Sequence, residues 1–167
     1  TDTDTDPVLA VVADVQVPNL AEGTEVMLLD LVVTASSNLG AFVQDAPGAY
    51  NGVLVWFDGN GPGTAPAIGD VVDVIGVIDE YESGTGTMTE VVVTPGGWMP
   101  AGTTAAPIST PVTTAELAAF GEDYEGVLVT VSNGTDLTVV DADIGNGEWT
   151  ITDGVVIDDV YYDWKDD

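Results

Sequence analysis

Acidic side chains in glycine-containing turns are the residues of this sequence best suited to chemistry. A calcium ion takes about six to eight oxygen ligands from carboxylates, amides and turn carbonyls. The candidate ligands in two such turns are Asp141, Asp143, Asn146 and Glu148 in one and Asp58 and Asn60 in the other. These turns predict Ca²⁺ as a ligand. Neither completes an EF-hand loop, so a solvated turn without an ion is the alternative for both.

The chain as a whole is strongly acidic. Of its 167 residues, 29 are Asp or Glu and one, Lys165, is basic, which gives a net charge of -28. A phosphate backbone would be repelled over nearly the whole surface, so we expect no nucleic-acid partner. The same charge opposes compaction, and salt or bound divalent ions relieve the repulsion. Cations and other proteins are the predicted partners, and adaptation to a high-salt habitat is the other explanation of the acidity.

The sequence contains no histidine and no cysteine. It therefore cannot form a Ser-His-Asp or Cys-His arrangement, an imidazole or thiolate zinc site, or a disulfide framework. Among so many acids, a carboxylate pair at a separation suited to glycoside hydrolysis arises by chance and carries no information. We expect a protein without catalytic activity.

Short runs of Val, Ile, Leu and Thr alternate with turns that contain glycine, proline and aspartate, which predicts an all-β fold. The predicted strands of the first part are residues 8–17, 24–35, 40–45, 52–57, 70–80 and 87–94. Gly76 falls in the middle of one of these strands. A glycine at that place predicts a sharp bend or a bulge.

Changes in composition divide the chain into segments. Residues 1–7 form a polar Thr/Asp segment, and residues 99–112 are rich in Pro and Thr, which predicts a linker or a long surface loop. A short helix is expected next, capped by Thr113 or Thr114 and ended by Gly121. Further strands are predicted at 124–132, 136–141, 147–152 and 154–163, with 148–163 as a hairpin. We thus expect one β unit over 8–98 and a smaller one over 113–167.

Four stretches of the first unit carry a family resemblance. They are Gly23-Thr-Glu-Val-Met-Leu-Leu-Asp-Leu-Val-Val-Thr34, Gly40-Ala-Phe-Val-Gln-Asp45, Gly52-Val-Leu-Val-Trp-Phe57 and Ile68-Gly-Asp-Val-Val-Asp-Val-Ile-Gly-Val77. Over residues 14–94 the chain resembles the OB-fold-like domains that accompany nucleases and lamin-tail domains in secreted bacterial proteins. The resemblance implies a five-stranded barrel, which closes its own edges. It carries over no nuclease activity.

Residues 124–162 are similar to the opening of a second such domain. In the relatives a further strand pair follows, so the second barrel is expected to be incomplete, with unpaired edges that another strand must cover. The expected donor is the apolar N-terminal segment with Val8, Leu9, Val11 and Val12, acting within the chain or from a neighbouring copy. In the alternative, residues 124–163 pack as extra strands on the first barrel.

The resemblance also implies a ligand face on the second and third strands of the first barrel. Its candidate residues are Gln44, Tyr50 and Trp56, with Phe42 nearby, although alternate residues of a strand must point inward. Trp98 lies in a Gly/Pro loop and is expected either to plug the barrel mouth or to form an exposed contact. Aromatic side chains with few neighbouring charges suit stacking on a sugar.

These features predict a non-catalytic structural or adhesive module, extracellular or on the cell surface, that assembles with other copies by strand complementation and is stabilised by calcium. The alternative is an accessory domain that binds carbohydrate or another ligand for a larger secreted protein. Export is expected because the Thr/Asp start resembles the spacer behind a signal or lipid-anchor site. No apolar run approaches the roughly 20 residues that a membrane span requires.

Overall fold

The structure is a computed structural model that describes residues 6–83, 86–102 and 104–158. Strands dominate it, which confirms the all-β class. The Thr/Asp segment before Asp6 lies outside the described residues. So do four of the C-terminal aspartates, Asp159, Asp163, Asp166 and Asp167.

The elements of the first part occupy residues 8–100. They are β1 (Val8–Ala10), α1 (Val12–Gln16), β2 (Glu25–Ser36), β3 (Gly40–Gln44), β4 (Gly52–Trp56), β5 (Val71–Ser83) and β6 (Gly86–Pro100). Five of the six strands predicted for this part therefore form close to the expected positions. The last of them, β6, runs beyond its predicted end at residue 94 and takes in Trp98.

These strands make one six-stranded sheet whose pairings form a circuit. β2, β3, β4, β6 and β5 pair in that order, and β5 pairs back with β2. Within the circuit the β4–β6 pairing is parallel and the other pairings are antiparallel. β1 joins in parallel beside the first half of β2, with Val8 opposite Val26 and Ala10 opposite Leu28. β1 is the edge strand of this sheet.

Alternate residues of the strands face one side and form the core. Its buried members on the circuit are Val26, Leu28, Leu31, Val33, Ala41, Val43, Val53, Val55, Val72, Val74, Ile78, Val91 and Val93, together with Phe57. Two valines of α1, Val12 and Val15, belong to the same cluster. Trp98 packs against the cluster, and its ring meets that of Phe57 edge-on with centroids 5.0 Å apart. The residues between these positions form the outer face of the sheet.

The N-terminal segment departs from the predicted strand over residues 8–17. The strand ends at Ala10, and residues 12–16 form the helix α1. Val12 and Val15 are three residues apart, so a helical turn brings both into the core, where each buried valine contributes about 1.5–3 kcal/mol. The Val12 amide donates to Asp45 Oδ2 at 3.0 Å, which anchors the first turn beside the end of β3.

The predicted irregularity at Gly76 is confirmed. The β5–β6 register shifts there, since Val74 lies opposite Trp98 and Gly76 lies opposite Val93. Four residues of β6 thus face the single residue Ile75. A Cβ on Gly76 would lie 2.6 Å from the Val92 carbonyl oxygen, so the strands approach too closely for any side chain.

The second part follows residues 101–102 and 104–109, which lie outside helices and strands. Its elements are β7 (Thr110–Val112), α2 (Thr114–Phe120), a 3-10 turn (Gly121–Tyr124), β8 (Val129–Val131), β9 (Val139–Gly145), β10 (Glu148–Ile151), a second 3-10 turn (Thr152–Gly154) and β11 (Val156–Ile157). Thr113 caps α2: its hydroxyl accepts from the Glu116 amide, and the Glu116 carboxylate accepts from the Thr113 amide at 2.8 Å. The predicted hairpin forms between β10 and β11.

The strands of the second part form two small sheets of their own, a parallel pair β7–β8 and the order β11-β10-β9. Among the described residues, none of them pairs with a strand of the six-stranded sheet. The hydrophobic core cluster contains no buried residue beyond Val93. The second part is instead held on the outer face of the first by backbone and side-chain contacts.

Candidate functional site

Two of the predicted ligand residues hold the two parts of the chain together. Gln44 is only 3% exposed; its amide nitrogen donates to the Ile108 carbonyl at 2.8 Å, and its amide oxygen accepts from the Leu128 amide at 3.3 Å. The Tyr50 amide donates to the Asp123 carbonyl at 2.7 Å, and the Tyr50 hydroxyl donates to the Asp123 carboxylate. This bond to Asp123, followed by burial, raises the pKa of Tyr50. The expectation that Gln44 faces a ligand is corrected.

The two tryptophans have different surroundings. Trp98 lies within β6 and not in a loop, and it packs on the core beside Phe57. Trp56 lies on the outer face at the end of β4 and is half-buried. Beside it is a depression of about 380 Å³ whose lining includes Asn38, Leu39 and Asp58. Of the predicted ligand residues, Trp56 and Trp98 each border a depression, and the one at Trp98, of about 270 Å³, is lined by Pro66 and Pro100 as well.

The strand register defines what surrounds Trp56 on the outer face. Leu54 lies opposite Glu90 across the parallel β4–β6 pairing, and Trp56 lies opposite Val92. On the other side of β6, Glu90 lies opposite Asp79 of β5. Directly opposite residues of an antiparallel pair have Cβ atoms about 5 Å apart, and diagonal neighbours remain within reach of an aromatic side chain. Trp56 and the two carboxylates therefore lie on one patch of the outer face, although neither carboxylate lines the depression beside Trp56.

Glu90 is the unusual member of this patch. Four polar or charged residues of the described chain are buried, and three of them are hydrogen-bonded: Thr34 to the Phe42 carbonyl, Gln44 as above, and Thr114 to Asn133 and Asp153. Glu90 is 6% exposed and forms no hydrogen bond to another described residue, but its carboxylate oxygens, unlike Oδ1 of Asp45, are not fully buried. Partial removal of water from a carboxylate is nevertheless costly and favours its protonated form.

The charges around Glu90 add to this cost. Burial raises the pKa of Glu90, and the nearby carboxylates of Asp79 and Asp58 raise the pKa further. Like charges directly opposite each other on a sheet destabilise it. The sequence contains no arginine or histidine that could compensate, and its one basic side chain is Lys165. The patch formed by Trp56, Asp58, Asp79 and Glu90 is called the acidic-aromatic patch below.

The predicted calcium ligands lie in two separate turns. Asp141 and Asp143 are on the exposed strand β9, and their carboxylates accept from the backbone amides of Asp143 and Gly145 at 3.2 and 3.0 Å. Asn146 forms the following turn with a φ of 57°, and Glu148 begins β10. Within residues 6–83, 86–102 and 104–158, no three acidic side chains are grouped so that they could hold a metal ion.

The other predicted calcium turn serves the fold. Asp58 adopts a φ of 43°, and the Asn60 amide donates to the Phe57 carbonyl at 2.7 Å, which closes a tight turn after β4. The Asn60 side-chain nitrogen donates to the Val93 carbonyl of β6 at 3.0 Å. This bond fixes the turn against the sheet and places Asp58 in the acidic-aromatic patch.

The predicted assembly residues divide between surface and core. Val8, Leu9 and Val11 are 42%, 68% and 54% exposed, whereas Val12 is fully buried in the core of its own chain. Val12 is therefore unavailable to fill a neighbour's groove unless α1 leaves its place, and that expectation is corrected. Leu9 and Val11 border a depression of about 360 Å³ that Leu29 also lines. β1 thus presents an open strand edge beside an apolar surface.

A second open edge occurs at β9. All seven of its residues are exposed, including the apolar Val139, Val140 and Ile144. β9 pairs with β10 on one side and is the edge of its three-stranded sheet. An exposed edge strand with apolar side chains is a template for pairing with another strand. The edges of β1 and β9 are the two strand-edge surfaces of the described chain considered below.

Sequence reasoning singled out Trp56 and Asp58 but missed Glu90 and Asp79. One sequence feature could have indicated Glu90: it is the charged residue in the strand Met88-Thr-Glu-Val-Val-Val93. Side chains alternate between the two faces of a strand, so Glu90 is expected on the outer face. Its burial follows from neighbouring strands that are distant in sequence.

A scan against protein-family models found no match, and a search of curated proteins found none either. No helix of the described residues has the length and apolar character to cross a membrane.

Proposed function

We propose that residues 25–100 form an OB-fold-like barrel and that the second part is the start of another such domain. The circuit of pairings from β2 to β5 supports this, since a closed five-stranded sheet with one parallel pair leaves its own strands without free edges. The resemblance over residues 14–94 points the same way. The second part has no comparable circuit among its described residues, which fits an incomplete domain.

The chain is a non-catalytic structural or adhesive module of the cell exterior that associates by strand addition. The open edge of β9 is the observation that carries this function. Val139, Val140 and Ile144 lie on a strand exposed along its whole length, with no core cluster beneath it. Burial of such side chains against an added strand contributes about 25 cal/mol per Å² of apolar area, and the backbone hydrogen bonds define the register.

A second copy is the proposed source of the added strand. The edge of β1 in one molecule offers Val8 and Leu9, and the edge of β9 in the next offers Val139 and Val140. A contact between two different edges is heterologous, so it extends head to tail and gives rings or filaments. Each copy carries a charge of -28, and calcium bound near Asp141 and Asp143 is the proposed means of reducing the repulsion.

Edge substitutions test the assembly. A lysine on an edge strand blocks edge-to-edge pairing, so Leu9→Lys and Val140→Lys are each expected to abolish higher-mass species in light scattering with calcium. Ile68→Lys is the matched control, because Ile68 is 63% exposed, close to the 68% of Leu9 and 67% of Val140, yet lies in a loop. Equal assembly of all three variants and the parent chain would contradict strand addition.

Ligand binding is the second candidate function. The half-buried Trp56 borders the depression with Asn38 and Asp58, and an aromatic ring beside amide and carboxylate groups is a common sugar-binding arrangement. Trp56→Ala is expected to abolish binding on a glycan array while the far-UV circular dichroism remains unchanged. A parent chain that binds no glycan leaves the carbohydrate hypothesis without support.

A further inference from the structure

Asparagine followed by glycine occurs four times in the sequence, at Asn51-Gly52, Asn60-Gly61, Asn133-Gly134 and Asn146-Gly147. In such a pair the glycine nitrogen can attack Cγ of the asparagine. A C–N bond then closes a succinimide ring, and the side-chain nitrogen takes the amide proton and leaves as ammonia. Water opens the ring at either carbonyl and gives aspartate or isoaspartate. Glycine favours the attack because it has no Cβ to obstruct it and restricts the backbone least.

Three of these asparagines are held by hydrogen bonds. Asn51 Nδ2 donates to the Pro47 carbonyl at 3.1 Å, and Asn60 is bound to β6 through its own side-chain nitrogen. Asn133 is held twice: its Oδ1 accepts from the Thr114 amide at 3.0 Å, and its Nδ2 donates to the Thr114 hydroxyl at 2.7 Å. The ring closes only when Cγ faces the following amide, so bonds that fix the carboxamide elsewhere slow the reaction.

The glycines after these three asparagines are also constrained. Gly52 is a buried residue of β4. Gly61 packs against Phe57, since a Cβ on this glycine would lie 2.4 Å from the phenyl ring. The Gly134 amide donates to the Ser132 hydroxyl at 3.3 Å. Each of these glycines must leave its place before its nitrogen can approach the asparagine side chain.

Asn146 is the least restrained of the four. Gly145 lies opposite Glu148, so Asn146 and Gly147 are the two residues of the β9–β10 hairpin turn, with φ values of 57° and 89°. Asn146 is exposed, and its side chain forms no hydrogen bond with another described residue. Ring closure requires the turn to open locally. The adjoining strand β9 is exposed along its whole length, and such segments open more readily than a packed core.

We propose that Asn146 is a self-modification site of this chain, where deamidation through a succinimide with Gly147 gives aspartate and isoaspartate. Water is the co-reactant. The product adds one carboxylate to a turn whose flanking strands carry Asp141, Asp143 and Glu148. Isoaspartate also lengthens the main chain within a two-residue turn, so it is expected to disrupt the β9–β10 hairpin. This modification is independent of strand addition and adds to the proposed function.

The experiment is peptide mapping of the full chain by mass spectrometry during incubation at mildly alkaline pH, with isoaspartate detected by an isoaspartyl methyltransferase. In the folded chain we expect Asn146 to react at least about tenfold faster than Asn51, Asn60 or Asn133, because held groups react only after local or global opening. In guanidinium chloride, where those bonds are lost, the four sites are expected to react within about threefold of one another.

A variant connects the released ammonia to this turn. Asn146→Gly removes the reacting carboxamide and leaves a residue that accepts positive φ, so ammonia release by the folded chain is expected to fall at least about threefold. Asn19→Gly is the matched control, since Asn19 is also exposed but precedes a leucine. It is expected to leave the release unchanged.

The proposal is overturned if another of the four sites reacts as fast as Asn146 in the folded chain. It is also overturned if Asn146 stays intact in the folded chain when the unfolded chain is fully converted, or if Asn146→Gly releases as much ammonia as the parent. None of these results bears on the light-scattering test of strand addition, so the two proposals fail separately.

Discussion

At Glu90, the burial that removes water from the carboxyl group raises its pKa, and Asp79 and Asp58 raise it further. A carboxyl group with a raised pKa in the folded state favours folding when protonated. Its contribution is fully present below the pKa of the unfolded chain and is lost as pH rises through the folded-state pKa. Glu125 acts in the same direction, because its own burial raises its pKa. Both groups make the protein less stable as pH rises above the usual value for glutamate.

Replacement of Glu90 by Gln isolates its share of this effect. The free energy of unfolding of Glu90→Gln, measured by urea denaturation, is expected to exceed that of the parent chain by a margin that grows as pH rises from about 4.5 and then levels off. Glu82→Gln, at an exposed position, serves as the control for general charge repulsion. A margin that stays constant with pH, or shrinks, would contradict the account of Glu90.

The burial and contacts of individual side chains were the hardest features to predict from the sequence. The alternation of β6 places Glu90 on the outer face, but its burial depends on Leu54 and Asp79 from strands far away in sequence. The contacts of Gln44 likewise could not be predicted from the sequence around it. Its position at the end of β3 was predicted, whereas its bonds to Ile108 and Leu128 depend on how the second part folds back.

Among the elements, β4 and the turn before β8 approach each other closely across the contact between the two parts. A Cβ on Gly52 would lie 2.2 Å from the Gly126 carbonyl oxygen and 2.6 Å from the Val127 backbone nitrogen. Both partners are backbone, so neither can yield by changing a rotamer. Glycine at position 52 is therefore what allows the second part to lie against the outer face.

Gly52→Ala is expected to force the two parts away from each other. Overpacking of this kind costs about 1–3 kcal/mol, which urea denaturation would detect as a lower midpoint. Gly121→Ala is the matched control: it has no atom within 4 Å of its added Cβ and a helical φ of -53°. The control is expected to be neutral or stabilising by up to about 1 kcal/mol. Equal midpoints for both variants would show that the close contact does not hold the parts together.

The elements themselves were largely predictable, because alternating apolar residues bounded by turn residues define strands locally. β2 to β5 begin within one residue of their predicted starts. The prediction failed at residues 12–16 because packing in the core overrides the local preference there. Val11, Val12 and Val15 are β-branched and favour strands, while the three-residue spacing of Val12 and Val15 is a helical pattern. The gain from placing both valines in the core outweighs the local preference.

At the scale of the whole molecule, charge and strand edges act against each other. A net charge of -28 keeps copies apart, whereas the apolar edges of β1 and β9 favour pairing with another strand. Cations that reduce the repulsion are expected to move this balance toward association. A chain whose acidity serves only a high-salt habitat would instead gain stability from molar potassium chloride and ignore calcium at low concentration.

The mass of the full chain in solution, measured by sedimentation equilibrium over a range of concentrations with and without calcium, tests strand addition most directly. We predict species heavier than a monomer whose fraction rises with protein concentration and with calcium. Potassium chloride at the same ionic strength should produce less association. A monomer at every concentration, in both the presence and the absence of calcium, would contradict the proposed function.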